Sequence, residues 1–167
     1  LAIKNKCKSF VSYQMRFQPI RQKIKKLIHK KALGKILNIN LSFDYSSRLY
    51  PEFKYNWWSD KQLGGGVLNA IGSHQLDLLV WYFGKIYKVF GINSTYLKKS
   101  LDYKGKLKKV TADDISKFIL FFKNFSASVS ISSVSIGWKN SIMQIHGSKA
   151  SLFLYGENKL KIIKKPK

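Results

Sequence analysis

A histidine and an aspartate, His74 and Asp77, lie in the longest stretch of the chain without Lys or Arg, residues 62–84. Ala70, His74, Asp77 and Trp81 are spaced by four, three and four residues, so an α-helix would place them on one stripe. An imidazole titrates near neutral pH and suits proton transfer. The carboxylate could bond one ring nitrogen and fix its tautomer, or cap nearby backbone. The residue types alone therefore leave two interpretations open, a proton-transfer site and a satisfied core histidine.

The sequence around this pair predicts a buried helix. Residues 67–83 are compatible with a helix and apolar on almost every side, which is typical of a central helix. Gly64 to Gly66 form a turn before it, and Gly84 ends it. The chain has 31 Lys and Arg among 167 residues, so a long segment free of both indicates burial.

The rest of the chain predicts one more helix and a series of strands. The helix begins at Pro19, carries apolar residues at helical spacing on one face, and is stopped by Gly34. Alternation from Ile39 to Tyr45 predicts a half-buried strand. Further strands are predicted at 8–17, 86–97, 115–122, 125–136, 141–146, 151–155 and 159–164. A phase change at Ser132-Ser133 predicts a bulge. Residues 104–109 are predicted to form an exposed loop.

The order of these elements predicts the fold class. A strand, a helix, a strand, a helix and then a run of strands indicate an α+β fold, with an open, largely antiparallel β-sheet and helices packed on one face. A length of 167 residues and a mass of 19.3 kDa suit a single domain, 1–167. Because the chain starts with Leu1, we expect either processing or a piece of a longer protein.

The formal net charge of +23 raises the question of a polyanionic partner. Arginine is the residue that bonds bidentately to phosphate and guanine, yet the only arginines are Arg16, Arg21 and Arg48. The lysines are spread along the chain rather than clustered, and Ile, Asn, Phe and Tyr are also abundant, as in proteins from AT-rich genomes. A functional basic surface and a compositional bias both remain open, and nucleic-acid binding is disfavoured.

Several other classes of protein are disfavoured by composition. Cys7 is the single cysteine, which excludes an internal disulfide and a thiolate zinc cluster. His29, His74 and His146 are scattered along the chain, so no metal site is predicted. No apolar run approaches the roughly 20 residues of a membrane-spanning helix, so no membrane partner is expected. We predict a cytoplasmic location.

Two motifs make the chain resemble a known family. The string WWSDKQLGGGVLNAIGSHQLDLLVWYFG, from Trp57 to Gly84, resembles the signature of Gfo/Idh/MocA oxidoreductases, in which a Trp and a GGG turn precede a helix reading G-x-H-x-x-D. MRFQP at 15–19, followed by a helix ending in Leu33-Gly34-Lys35-Ile36, resembles the opening of the same C-terminal domain. The motifs occur in the family's order, and we expect the resemblance to cover the whole chain.

The resemblance implies the substrate domain of an NAD- or NADP-dependent oxidoreductase acting on a sugar, cyclitol or similar polyol. His74 would assist proton transfer and Asp77 would support or join that chemistry. Substrate-binding candidates are Arg16, Tyr55, Trp57 and Trp58. The alternative role is a structural ion pair for Arg16 and core packing for the three aromatic residues. The sheet would form a homo-oligomer. The dinucleotide would be bound mainly by an N-terminal Rossmann domain, so no residue here is assigned to the cofactor.

The departures from the family pattern keep rival functions open. The chain contains neither the G-x-G-x-x-G loop nor the E-K-P motif of the Rossmann domain, so by itself it is expected to be inactive. Many members place an Asp four residues before the histidine, where this chain has Ala70. A non-catalytic binding or oligomerisation module is therefore the alternative function. A basic nucleic-acid-binding domain is the third.

Overall fold

The computed structural model describes residues 2–136 and 140–166. A 3₁₀ turn at Gln14–Phe17 leads into helix α1, Pro19–His29, which begins with proline at its first position. A π-helical turn, Leu68–Gly72, runs directly into helix α2, Ser73–Phe83. Single 3₁₀ turns occupy Ser47–Leu49 and Trp57–Ser59. Both predicted helices are therefore present, although α1 ends before Gly34, which follows as a turn residue with a positive φ.

The described residues form nine strands. They are β1 (Ile36–Asp44), β2 (Lys88–Ser94), β3 (Lys99–Leu101), β4 (Leu107–Lys109), β5 (Ile115–Phe121), β6 (Ser126–Ser132), β7 (Asn140–Gly147), β8 (Ala150–Tyr155) and β9 (Lys159–Lys164). Seven of them form one sheet in the order β2-β5-β6-β1-β7-β8-β9, and β3 pairs with β4 in a small hairpin. Within the large sheet, β1 and β6 run parallel and the other neighbours antiparallel. The predicted α+β class with a largely antiparallel sheet is confirmed.

One face of the sheet and the two helices enclose the core. Ile39 and Leu41 of β1 are buried on that face, together with Val129 and Ile131 of the neighbouring β6. From the helices, Ile24, Leu78 and Leu79 are completely buried in the same apolar cluster. The helices thus cover one face, as the alternation in β1 predicts. Although α2 is the more apolar helix, no helix within the described residues has both the length and the hydropathy to cross a bilayer.

The other face of the sheet is open and mixed in character. At its centre the Ser128 hydroxyl donates to Asn40 Oδ1 at 2.7 Å, and Asn40 Nδ2 donates to Gln144 Oε1 at 3.4 Å. Apolar side chains flank this polar stripe and are exposed: Phe90, Ile92, Ile119, Phe121, Tyr155 and Ile163. Exposed apolar side chains grouped on one face often mark an interaction surface.

Three local predictions were wrong. The strand predicted at 8–17 is absent: residues 8–13 pair with no strand, and Gln14–Phe17 form a 3₁₀ turn. Lys104–Lys109 is not wholly a loop, since its last three residues pair with β3. The phase change at Ser132-Ser133 is no bulge: β6 ends at Ser132, and the Ser133 amide donates to the Asp114 carbonyl instead.

The burial of α2 gives a stability prediction. Leu78 is 0% exposed, whereas Val80 of the same helix is 41% exposed. Leu78→Ala should lower the free energy of unfolding by about 2–5 kcal/mol, since it leaves a cavity among fixed neighbours. Val80→Ala removes less buried surface and should change it by less than ~1 kcal/mol. Urea unfolding of both variants checks this, and equal losses would show that α2 is not the buried centre of the domain.

Candidate active site

The turn before α2 is tied to the aromatic loop by backbone contacts. The Gly66 amide donates to the Trp58 carbonyl at 3.0 Å, and the Gly65 amide donates to the Asp60 carbonyl at 2.9 Å. A Cβ added at Gly65 would overlap the carbonyls of Trp57 and Trp58. Glycine at this position therefore allows the two segments to touch. The loop that carries Trp57 and Trp58 is fixed against the start of the histidine-bearing helix.

A distant carboxylate satisfies the start of that helix. The Leu68 amide donates to Asp113 Oδ2 at 2.9 Å, and the Val67 amide donates to the Asp113 carbonyl at 3.0 Å. Gly66 has φ of +105°, and a Cβ there would overlap the Asp113 carboxylate. A helix N-terminus favours an anion, and here the Asp113 carboxylate is that anion. Because Asp113 engages the Val67 and Leu68 amides, this helix start does not offer them to the pyrophosphate of a nicotinamide cofactor.

The π turn changes the predicted stripe on α2. The Ser73 amide donates to the Leu68 carbonyl, five residues back, so residues stack at a wider interval here than in an α-helix. A spacing of four therefore does not place Ala70 directly in line with His74. The stripe continues as predicted from His74 through Asp77 to Trp81, because these residues lie in the regular helix. Turns of this kind are frequent at functional sites.

Asp77 contacts the 3₁₀ turn before α1, and His74 contacts Tyr13, the residue directly before that turn. Arg16 Nε donates to Asp77 Oδ2 at 2.7 Å, and a second guanidinium nitrogen, Nη2, donates to Asp77 Oδ1. The Asp77 side chain is 8% exposed and that of Arg16 37%. The hydrogen bond to Asp77 raises the pKa of Arg16, which stays charged. The Tyr13 ring meets the His74 ring edge-on, with centroids 5.9 Å apart and planes at 84°.

The predicted aromatic residues lie together in the loop before the glycine turn. Trp57 and Trp58 form an edge-on pair with centroids 5.8 Å apart, and Trp57 is 51% exposed. The Tyr55 hydroxyl donates to Asp60 Oδ2 at 3.3 Å. Partial burial and the neighbouring Asp60 carboxylate raise the pKa of Tyr55, so its phenol remains protonated. Trp57 is the member of this group that offers a wide apolar ring to the outside.

A buried arginine that sequence reasoning left without a role anchors this loop. Arg48 is 5% exposed, and its guanidinium donates to the Trp58 carbonyl at 3.2 Å and to Ser59 Oγ at 3.1 Å. Its Cζ lies 4.6 Å from the centre of the Phe53 ring. Burial lowers the pKa of Arg48, although nearby Asp114 opposes the shift. The sequence did not predict a role for Arg48 or Asp113, because the groups they contact lie elsewhere in the chain. Asp113 could have been singled out, since the chain has only 8 acidic residues.

The predicted site residues thus form two groups. Arg16, Asp77 and His74 lie together at α2, with Tyr13 added by the structure. Tyr55, Trp57 and Trp58 lie together in the loop. Within residues 2–136 and 140–166, no hydrogen bond or ring contact joins the two groups directly; they are connected through the glycine turn. In the same described residues, no three His, Cys, Asp or Glu side chains converge as metal ligands.

Comparison with known sequences supplies relatives of this chain. A protein-family model described as the GFO/IDH/MocA C-terminal domain matches residues 21–153. An oxidoreductase of Synechocystis sp., described as uncharacterized, is 31% identical over 149 residues, which cover 87% of this chain and 40% of that protein. Glucose-fructose oxidoreductase domain-containing protein 1 of Mus musculus is 33% identical over 114 residues, or 68% of this chain and 28% of that protein. The chain therefore spans less than half the length of these relatives.

Solved structures share the fold. An oxidoreductase domain protein from Kribbella flavida matches with a TM-score of 0.85 at 25% identity, over 98% of this chain and 44% of that one. Levoglucosan dehydrogenase in complex with NADH and L-sorbose matches with a TM-score of 0.85 at 22% identity, over 96% of this chain and 45% of that one. More than half of each of these structures lies outside the match.

The glycine turn gives a paired prediction. Gly64 and Gly66 both have positive φ, but a Cβ at Gly64 would meet no atom within 4 Å. Gly64→Ala should therefore cost only the backbone strain, about 1–2 kcal/mol of unfolding free energy. Gly66→Ala should cost roughly 1 kcal/mol more, because it also displaces the Asp113 cap. Equal losses in urea unfolding would show that Asp113 does not stabilise the start of the helix.

Proposed function

The chain belongs to the GFO/IDH/MocA family, as a C-terminal domain of that family, and on this premise we propose that it is the substrate domain of an NAD(P)-dependent oxidoreductase. The substrate class is a sugar, cyclitol or similar polyol. One observation carries the proposal: His74 lies on a rigid, buried helix, beside a glycine turn whose partner loop presents an exposed tryptophan. A proton-transfer group and an aromatic sugar platform are thereby held on one scaffold.

The proposed protein divides the work between two domains. The matched relatives and structures extend well beyond this chain, and the helix N-terminus here is filled by Asp113. We therefore assign the dinucleotide, NAD or NADP, to an N-terminal Rossmann domain that this chain would pack against. A nicotinamide bound there would supply hydride transfer. The chain alone is expected to be inactive. Residues 1–167 are proposed to form a single domain.

His74 is proposed to move the hydroxyl proton of the substrate. Oxidation of an alcohol removes a hydride from carbon and a proton from oxygen, and the proton needs an acceptor within hydrogen-bond reach. An imidazole on a helix held by packing on several sides offers a fixed position for that transfer. Asp77 gives both carboxylate oxygens to Arg16, so it is proposed to support His74 rather than to exchange a proton itself.

Trp57, Trp58 and Tyr55 are proposed to line the sugar site. Ligand sites combine aromatic surface with a few polar groups, and an indole ring offers both an apolar face and one N–H donor. Trp57 has the exposure for this role, while Trp58 and Tyr55 back it. Arg16 keeps a 37% exposed side chain, and its predicted contact with substrate remains a prediction.

A non-catalytic module is the alternative function. Ala70 stands where many family members carry an aspartate, and the open sheet face presents exposed Phe90, Ile92 and Ile119. Such a module would bind a polyol or assemble copies without turnover. Homo-oligomerisation through the sheet is proposed under either function, because that face is large and apolar at its flanks. Nucleic acid is not proposed as a partner, and a cytoplasmic location stays a prediction.

Replacement of His74 tests the proposed activity. The full-length protein that contains this chain should reduce NAD or NADP in the presence of a sugar or polyol, measured as absorbance of the reduced nicotinamide. His74→Ala should lower kcat by roughly 10²–10⁴-fold, the usual contribution of a positioned acid or base. His29→Ala serves as the matched control, because His29 ends α1 and is exposed.

The outcomes separate the two functions. Turnover that survives His74→Ala unchanged would contradict the role of His74. Sugar binding without turnover by the unaltered full-length protein would instead support the non-catalytic module. Calorimetric titration with a panel of polyols measures that binding directly.

The sheet face gives an assembly prediction. Phe90 lies on the open face and is 72% exposed, while Tyr103 lies in the turn of the β3–β4 hairpin and is 80% exposed. If copies pack through the sheet, Phe90→Glu should lower the mass measured by light scattering because it buries a charge at the interface. Tyr103→Glu should leave the mass unchanged. A monomer in the unaltered chain at micromolar concentration would contradict assembly by this domain.

A further inference from the structure

Two pairs of contacts join the 3₁₀ turn to α2 at the same sequence interval. Tyr13 contacts His74, and Arg16 contacts Asp77. Arg16 follows Tyr13 by three residues, and Asp77 follows His74 by three residues. Tyr13 directly precedes the 3₁₀ turn, and its carbonyl accepts the Arg16 amide, so the two residues lie one 3₁₀ turn apart, about 6 Å along the axis. On an α-helix, residues three apart are neighbours separated by about 4.5 Å. The two intervals are close enough for both pairs to form together.

The 3₁₀ turn is held by contacts that do not involve the Tyr13 side chain. The Arg16 amide donates to the Tyr13 carbonyl at 3.1 Å, and Gln22 Nε2 of α1 donates to the Arg16 carbonyl at 2.6 Å. Arg16 itself is fastened to α2 through both Asp77 oxygens. The guanidinium Cζ of Arg16 also lies 5.9 Å from the centre of the Tyr13 ring. The ion pair therefore sets the place from which the Tyr13 ring reaches His74.

The His74 ring lacks the usual means of orientation. A working imidazole is normally fixed by a hydrogen bond at the nitrogen that does not meet the substrate. In His74 the Nδ1 atom is buried, and it has no hydrogen-bond partner among the described residues. Asp77, its neighbour on the helix, has both oxygens engaged by Arg16. Packing must then hold the ring, and the edge-on contact with Tyr13 is the ring contact that the structure provides.

We propose that Tyr13 is a positioning residue for His74, and that the Arg16–Asp77 ion pair acts on His74 through Tyr13. The inference rests on the proposed role of His74, but its structural part stands apart from turnover. The phenol ring limits the rotation of the imidazole, and the ion pair keeps the ring in place. What Tyr13 contributes is aromatic surface, so its hydroxyl is dispensable.

The structural part is tested by NMR on the 167-residue chain. The chain has three histidines, so its imidazole ¹⁵N and ¹H signals are few, and His74→Gln assigns those of His74. Tyr13→Leu should shift the His74 signals and leave those of His29 and His146 in place. Tyr13→Phe should keep them close to the parent positions. Tyr103→Leu, at an exposed tyrosine of the hairpin, is the matched control. Unshifted His74 signals in a folded Tyr13→Leu variant would overturn the proposal.

A double-variant comparison tests whether the ion pair acts through Tyr13. Arg16→Met should shift the His74 signals in the parent chain, because Tyr13 loses its anchor. In the Tyr13→Leu background the same change should add almost nothing, since coupled residues do not act additively. Equal shifts in both backgrounds would overturn this step. Unfolding midpoints of all variants identify any that fail to fold, and Arg16→Lys then replaces Arg16→Met.

Turnover of the full-length protein separates this inference from the proposed function. Tyr13→Leu should lower kcat by roughly 10- to 100-fold with a smaller change in KM, because misplacement of a reacting group costs rate. Tyr13→Phe, which keeps the aromatic ring, should have a kcat close to that of the unaltered protein. If His74→Ala abolishes turnover while Tyr13→Leu equals the parent, the positioning role is wrong and the proposed function stands. If the unaltered protein shows no turnover, the proposed function fails and the NMR comparison decides the role of Tyr13.

Discussion

Helix α2 carries one carboxylate, Asp77, among mostly apolar side chains, and a charge taken out of water needs a partner. Asp77 is nearly buried and finds that partner in Arg16, sixty-one residues earlier in the chain. This one pair decides the path of the segment before α1, because that segment must approach α2 closely enough for Arg16 to reach it. The same approach brings Tyr13 to His74. The surroundings of the candidate proton-transfer group thus follow from the need to pair a carboxylate.

The other end of the helix follows a similar rule. The amides at the start of a helix need acceptors, and Asp113 supplies both a carboxylate and a carbonyl from the chain just before β5. Gly66 leaves room for that carboxylate, and Gly65 leaves room for the backbone of the tryptophan loop. The loop is fixed from its other side by the buried Arg48. Glycines, an aspartate and an arginine therefore hold the aromatic residues and His74 on one rigid unit.

The two faces of the sheet have separate tasks. The covered face buries the helices and so fixes the height of His74 above the sheet. The open face carries a polar centre between exposed apolar flanks, the character on which the proposed contact between copies rests. Because β1 lies in the middle of the sheet, its alternation contributes to both faces, with Ile39 and Leu41 toward the core and Asn40 toward the open side.

The sequence by itself determined the elements whose physics is local. Period-two alternation gave β1 and β6, helical spacing gave α1, and the absence of Lys and Arg marked α2 as buried. The motifs also placed the chain in its family. Residues 8–13 show where this reasoning ends: their alternation resembles a strand, yet they pair with no sheet edge. Tertiary structure alone decided that Arg16 pairs with Asp77, that Asp113 caps α2 and that Tyr13 meets His74. Each of these contacts joins residues at least forty-five positions apart, and a residue pattern carries no information on which distant group will satisfy a buried charge or amide.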